Sequence, residues 1–437
     1  MNKMSDSRIP AFFRKRVTER MDTLVERGFI DADDAASLQQ TSGVLPVDVA
    51  DKMVENVVSV FGLPLAVAPN FLVNGRDYVV PMVIEEPSVV AGVSGAARLM
   101  RHGGGFVARA DDPILIGQVQ LVDVADPDKT IELLRVAEEK LLQDANNLQP
   151  NLLMRGGGAR SIEFLKYKLA GERWTVMVHI AVDTRDAMGA NLVNTICEGI
   201  APGIEALSGH KAGLCILSNL ADKSLVTSTV TLPLDSLRMK GFSAEAVRDG
   251  IVMANELALV DRYRATTHNK GIMNGIDAVA IATGNDWRAI EAAAHAYACR
   301  DGSYRALTAW TATASGDLCG ELTMPLKVGI VGGSLKTNPG ARAGLKIAAA
   351  GSASELAMLM ASVGLAQNFA ALRALVSDGI QKGHMRLHAR SVASLAGAPK
   401  DIFDKVVRGL IDSGDVKEWK AAELIAAIQQ EEQSAGD

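Results

Sequence analysis

The chain has 437 residues, 48% of them hydrophobic, and a formal net charge of −6 from 51 acidic and 45 basic side chains. That is enough for two or three cores, and an acidic balance without any basic run interleaved with aromatics argues against nucleic acid as a partner. Cys197, Cys215, Cys299 and Cys319 are widely spaced with no CxxC pair, which argues against a disulfide frame or a zinc site and fits a reducing cytoplasm.

The first sixteen residues are charged and lack the apolar centre of a signal peptide. Up to about residue 60 helical patterns alternate with short breaks. VTERMDTLVERGFI and DVADKMVENVVSVFG carry apolar positions at three- and four-residue spacing, each ended by a glycine. PLAVAPNFLVNGRDYVVPMVI then changes period, and Asn74-Gly75 between two apolar arms predicts a tight hairpin. Its second arm runs into Glu85-Glu86-Pro87-Ser88. Successive strand side chains face opposite ways, so one of the two carboxylates points inward if regular pairing continues; the alternative is a solvated acidic turn. VVAGVSGAARLM follows as a closely packing helix.

Between Ile114 and Asn219 the order reads strand, helix, hairpin, helix, strand, with the hairpin turning at Gly171-Glu172. This β-α-β-β-α-β order predicts a compact inserted domain with an antiparallel sheet and helices on one face. The glycine runs at 156–158 and 332–337 fit neither a dinucleotide fingerprint nor a phosphate-loop spacing and read as turns. Asp186-Ala187-Met188-Gly189-Ala190-Asn191 is the better nucleotide candidate. Asp186 is placed to cap the helix, and Gly189 lets a ligand approach its first turn, where free N–H groups favour phosphate.

The stretch from Arg264 to Ala289 carries the densest chemistry. Ile272, Ile276, Val279 and Ala280 give a helix one apolar face, with Thr266 and Thr267 where an N-cap would stand and Lys270 in the first turn. A cation is disfavoured there, so either it escapes to solvent or something negative meets it. Asp286 is the candidate partner, and with Asn269 and Asn274 alongside, such a pair would hold a developing negative charge. Paired strands are expected over 306–313 and 318–333 and one helix over 341–377. The uncharged run between Glu355 and Arg373 touches the lower length of a membrane span, but its Ala, Ser and Gly content argues for burial among helices. Glycines 379 and 383 bracket a possible hinge ahead of His384 and His388; the zincin pattern needs Glu where Met385 stands, so a metal is not expected. DIFDKVVRGLIDSG and VKEWKAAELIAAIQQEE complete the chain as amphipathic helices.

THNKGIMNGID, ATGNDWRA and AHAYACR resemble the catalytic-lysine and aspartate segments of 3-hydroxy-3-methylglutaryl-CoA (HMG-CoA) reductase, specifically the soluble bacterial class II form. The resemblance continues through ENVVSVFGLPLAV, VIEEPSVVA, DTRDAMGANLVNT, LSNLAD and GIQKGHMRLHAR, nearly the whole chain. It implies an α+β fold, its large domain rich in α/β elements and formed by residues 1–113 and 219–378. Residues 114–218 would be an inserted ferredoxin-like dinucleotide-binding domain and 379–437 a small helical C-terminal flap. The implied activity interconverts HMG-CoA with mevalonate and CoA by two nicotinamide hydride transfers. The implied catalytic residues are Glu86, Lys270, Asp286 and His384. Arg264, Ser88 and Asn274 would contact the substrate, and Asp186, Met188, Gly189 and Asn191 the cofactor.

A homodimer or an assembly of dimers, with the active site at the subunit interface, is also implied, in the cytoplasm and without a membrane anchor. One departure bears on the cofactor. NAD-dependent members carry an aspartate shortly before the GGG segment, where this chain has Gln149; a neutral amide does not repel the 2′-phosphate of NADP. The surrounding motifs lean slightly to NAD, with NADP the alternative. Another acyl-CoA or hydroxy acid would suit the same carbonyl-reducing layout.

Overall fold

A computed structural model of the chain describes residues 6–39, 45–332, 335, 337–377 and 379–434, the side chains of 380–387 and 432–434 excepted. The N-terminal part holds α1 (Val17–Glu26), α2 (Ala32–Gln39) and the short α3 (Val47–Ala50). The helix expected to continue past α3 is absent: 55–64 is irregular and exposed, with Val58 95% and Phe61 90% accessible. The β-branched run Val57, Val58 and Val60 is a poor helix former, and no core among the described residues meets its apolar face.

The hairpin forms as predicted. β1 (Leu65–Val73) and β2 (Arg76–Val83) pair antiparallel in the register Val73↔Arg76. Asn74 and Gly75 both take positive φ, 51° and 76°, as a two-residue primed turn requires. The next helix, α4 (Val89–Met100), packs on β1. β3 (Val107–Ala110) then leads out of this unit into β4 (Ile114–Leu121).

From β4 the chain runs through α5 (Pro127–Val136), α6 (Glu138–Asn147), α7 (Pro150–Met154), β5 (Gly158–Lys168), β6 (Trp174–Asp183), α8 (Ala190–Ser208) and β7 (Ala212–Leu217). The single first helix of the sequence reading is split at Ala137. The four strands form one antiparallel sheet in the order β5-β6-β4-β7. β4 alternates strictly in burial, and Leu115, Val119 and Leu121 join Val193, Ile196 and Ile200 of α8 in a core separate from that of the rest. This sheet and its helices therefore share one hydrophobic interior, which Ala221 and Ala293 also join.

The chain returns in β8 (Leu225–Leu232), followed by α9 (Ala244–Val260), α10 (Arg262–Ala282), α11 (Trp287–Ala298), β9 (Thr308–Ala312) and β10 (Leu318–Pro325). A second antiparallel sheet has the order β3-β8-β10-β9. The expected helix over 341–377 is two, α12 (Pro339–Ala348) and α13 (Ala353–Leu375), because Ala349 turns left-handed and Ser352 caps a new start by accepting from Glu355 N–H at 3.1 Å.

α13 is the one helix among the described residues long and apolar enough to cross a membrane, and 78% of its apolar window is buried inside this protein. It crosses α10 closely because glycines stand at the contact. A Cβ on Gly364 would come within 2.8 Å of Ile276 Cδ1, and one on Gly275 within 3.1 Å of Val363 Cγ1. Ile272, Ile276, Val363 and Phe369 fill that crossing and are fully buried. This core fixes which face of α10 looks outward. Three further helices, α14 (Ile380–Leu395), α15 (Phe403–Ser413) and α16 (Glu418–Ser434), pack on each other through Ala389, Val406, Leu410 and Ala421.

Candidate active site

α10 starts earlier than the sequence reading had it. Asp261 is the N-cap, its Oδ2 accepting from Arg264 N–H at 2.9 Å. Thr266 and Thr267 lie inside the helix with hydroxyls bonded back to Arg262 O and Tyr263 O, which removes them as caps. Lys270 is thus the ninth of 21 residues, beyond reach of the positive helix end.

Its partner is Glu86. Lys270 Nζ lies 3.0 Å from Glu86 Oε2, and Asn274 Nδ2 donates to the same oxygen at 3.4 Å. Lys270 and Asn274 are one turn apart, so the helix offers both donors on one face to the loop leaving β2. The Lys270–Asp286 pair expected from sequence does not occur among the described contacts. Asp286 caps α11, accepting from Ala289 N–H at 3.1 Å, with Arg288 at 3.8 Å. Asn269 also turns away: fully buried, it donates to Arg305 O and accepts from Leu307 N–H. The site is open in the single chain, with the Lys270 side chain 60% and that of Glu86 36% exposed. Glu86 is only half-buried in this chain, and a pair this wet adds at most about 1 kcal/mol to stability.

Ser88 gives an independent sign of function. It takes φ 76° without being glycine, and its Oγ is buried with no hydrogen-bond partner among the described residues. Backbone strain beside an unspent hydroxyl, two residues from Glu86, is the pattern of a ligand clamp. Arg264 is half-buried, and desolvation lowers its pKa; among the described contacts no carboxylate meets its guanidinium. His384 lies within α14 at a position whose side chain is outside the described residues.

Sequence reasoning missed a titrating chain on the same face of α10. Asp277, seven residues past Lys270, meets Glu291, whose Oε2 is 2.6 Å from His295 Nε2; His295 Nδ1 reaches Tyr304 Oη at 2.7 Å. Burial first, then Glu291, raises the Asp277 pKa, while His295 above all lowers that of Glu291. A helical-wheel count would have placed Asp277 on that face, but nothing in sequence brings Glu291 to it. Between about pH 4 and about pH 8 the folded chain keeps a proton that unfolded Asp277 has released, so this group's contribution to stability declines as pH rises through that window. Asp277→Asn, which mimics the protonated form, is expected to raise Tm by about 2 °C or more at pH 8 and to change it little at pH 4. Parallel Tm curves for variant and wild type across that range would remove the assignment.

The cofactor candidate lies at the start of α8. Gly189 is the N-cap residue, with φ 97° and no side-chain cap, so Asp186 does not cap this helix. Its Oδ1 instead accepts from Ala353 N–H of α13 at 2.8 Å. A Cβ on Gly189 would strike Thr184 Cγ2 at 2.4 Å, so only glycine leaves the turn in place and the first N–H groups of α8 uncovered. At the end of the same β6 strand Arg185 donates to Gly156 O at 2.6 and 2.9 Å, and Arg160 to Asp183 at 3.0 Å. An uncapped helix start beside two guanidinium groups fits an anionic dinucleotide. Gln149 is the N-cap of α7.

The family model described as hydroxymethylglutaryl-coenzyme A reductase matches residues 16–389. The curated 3-hydroxy-3-methylglutaryl-coenzyme A reductase of Archaeoglobus fulgidus is 45% identical over 425 residues, 97% of this chain and 95% of the relative. Among solved structures, the reductase from Streptococcus pneumoniae superposes with a TM-score of 0.81 at 42% identity, covering 96% of this chain and 99% of that one. A class II structure from the same organism, bound to NADPH in open conformations, gives 0.80 at 44% identity over 84% of this chain and 99% of that one.

Proposed function

The chain belongs to the hydroxymethylglutaryl-coenzyme A reductase family, in its class II form, and we propose that Lys270, Glu86, Asp286 and His384 carry out its reaction. That reaction interconverts HMG-CoA with mevalonate and CoA in two successive hydride transfers through a mevaldehyde-level intermediate. Each hydride would come from a separate reduced nicotinamide, the oxidised one being exchanged before the second step. The observation that carries the assignment of roles is the meeting of Lys270 Nζ and Glu86 Oε2 at 3.0 Å, with Asn274 on the same oxygen.

A thioester carbonyl that accepts hydride becomes an oxyanion, and the Lys270 ammonium stands where that charge develops. Collapse of the tetrahedral species breaks the C–S bond, and His384 protonates the departing CoA thiolate. The second hydride leaves an alkoxide on the former aldehyde oxygen, and Glu86 in its acid form protonates it. Asp286, one helix away, steers Lys270 once the site is assembled. Arg264, Ser88 and Asn274 hold the methylglutaryl end, the guanidinium on its carboxylate.

Residues 114–218 act in this reading as an inserted ferredoxin-like domain in which Met188, Gly189 and Asn191 contact the dinucleotide and Asp186 holds the turn. Residues 379–437 act as a flap that closes His384 over the site and opens between the two hydride steps. A second copy of the chain completes the cover. The exposed apolar strap around Val58 and Phe61 ends at Pro64, whose carbonyl accepts from Ile84 N–H two residues before Glu86, so a partner seated there would also dry the site.

For the cofactor, Gln149 stands as a neutral amide where an aspartate would repel a 2′-phosphate, so NADP is accepted beside NAD. Incubation with HMG-CoA is expected to oxidise two equivalents of NADH or NADPH per mevalonate, with kcat/KM for the two within about tenfold of each other. No absorbance change with either would end the reductase reading. A ratio above about a hundred would end the dual preference.

A further inference from the structure

Lys327 follows β10 and is 8% exposed, the kind of burial a lysine rarely has without a carboxylate to meet it. Its Nζ instead donates to two backbone carbonyls, Ala187 O at 2.8 Å and Val328 O at 3.2 Å. Asp183 and Asp186 are near enough to act on it, yet neither is within ion-pair reach among the described contacts. Asp183 is engaged by Arg160, and Asp186 by the start of α13. Burial pushes the Lys327 ammonium down to about 8, which leaves it mostly charged at neutral pH.

The place it occupies is the junction of the two cores. Both connections between them cross here: Asp111 N–H donates to Leu225 O at 2.9 Å, Thr184 N–H to Pro113 O at 3.2 Å, and Leu326 N–H to Ser224 O at 3.1 Å. The segment following Lys327 is sewn to the 186–188 turn. Ile330 N–H donates to Asp186 O at 2.9 Å, and Ala187 and Val331 form a parallel bridge. At Gly329 a Cβ would lie 2.4 Å from Met188 N, so the approach tolerates no side chain. Asn285, next to Asp286, accepts from Gly329 N–H at 2.7 Å and ties the same strap to the start of α11. One short segment thus touches the cofactor turn on one side and the neighbour of a proposed catalytic residue on the other.

We propose that Lys327 is a positioning residue for the nicotinamide cofactor: its buried ammonium pins the Ala187 carbonyl and sets a fixed positive charge directly behind the uncapped start of α8. The inference rests on the reading that the 186–191 turn holds the cofactor. Ala187 O keeps a second donor, Thr184 Oγ1 at 2.9 Å, so removing the lysine does not orphan that carbonyl. What changes is the placement of the turn and the field at the helix start, where a dinucleotide pyrophosphate would sit.

The test uses the full-length enzyme and measures cofactor Kd by nicotinamide fluorescence together with steady-state constants. Lys327→Met, which removes both charge and donor, is expected to raise cofactor Kd and KM at least tenfold while kcat and KM for HMG-CoA stay within threefold. Lys327→Gln, which restores a donor without the charge, is expected to raise cofactor Kd at least threefold. A merely structural lysine would move Tm, kcat and both KM values together, and that outcome overturns the proposal. If Lys327→Met does not fold, Lys327→Gln decides, and an unchanged cofactor Kd in that variant overturns it. Asn191→Ala separates the two layers. Weaker cofactor binding there with wild-type affinity in both Lys327 variants defeats the Lys327 role alone, whereas no loss in any of the three defeats the placement of the cofactor turn as well.

Discussion

Replacing Lys270 with alanine is expected to lower kcat by a thousandfold or more in both half-reactions, reduction of HMG-CoA and reduction of free mevaldehyde, with Tm shifted by less than about 2 °C. The two expectations have separate grounds. In the proposed mechanism activity depends on a full positive charge beside an oxygen that becomes anionic in each hydride step, and neighbouring Asn274 offers only an amide dipole in its place. Stability depends on how much the ground-state contact contributes, and the Lys270–Glu86 pair has 60% and 36% of its two side chains exposed to water. A pair in that environment is screened, so the fold barely registers its loss. Turnover of mevaldehyde near the wild-type rate would remove Lys270 from its role. A large fall in Tm would recast the lysine as a structural residue.

The contrast between these two expectations also explains what could be read from the sequence. Elements with a strong local cause were legible. Asn74-Gly75 dictates a primed hairpin turn whatever surrounds it, and β4 with α8 shows its burial period in its own letters. The α10 helix was legible in type but not in phase, because Thr266 and Thr267 advertise a cap that Asp261, five residues upstream of Thr266, supplies instead. That shift moved Lys270 from the helix start to its middle and removed the local reason for pairing it with Asp286. The partner it does have, Glu86, lies 184 residues away and reaches it through packing of β2 on α10. Such a contact has no sequence period. The same holds for Asp277 with Glu291, and for Lys327 with Ala187, where hydrophobic neighbours in a strand-like run concealed a charged group whose partners are backbone atoms. Resemblance supplied the reacting groups that are proposed. Only the fold supplied which of them touch in one chain.

Glu86→Gln tests the remaining acid with the least disturbance of shape. The carboxylate Oε2 receives both Lys270 and Asn274, and a glutamine oxygen can still accept from them, so the ammonium is not released from its place. What the amide lacks is a transferable proton. If Glu86 protonates the alkoxide formed by the second hydride, mevaldehyde reduction is expected to fall by about a hundredfold or more, with KM values within a few fold of wild type. The thioester step should suffer less if, as proposed, its departing group takes its proton from His384. Were Glu86 only an anchor for Lys270, both half-reactions would decline by the same small factor, because the anchor survives as an amide. Kinetics of the variant on HMG-CoA and on mevaldehyde at one pH therefore separate a proton donor from a tether. Mevaldehyde turnover within threefold of wild type would leave Glu86 as the tether, and the second proton would then have to come from water entering the open cleft or from a group on a covering subunit.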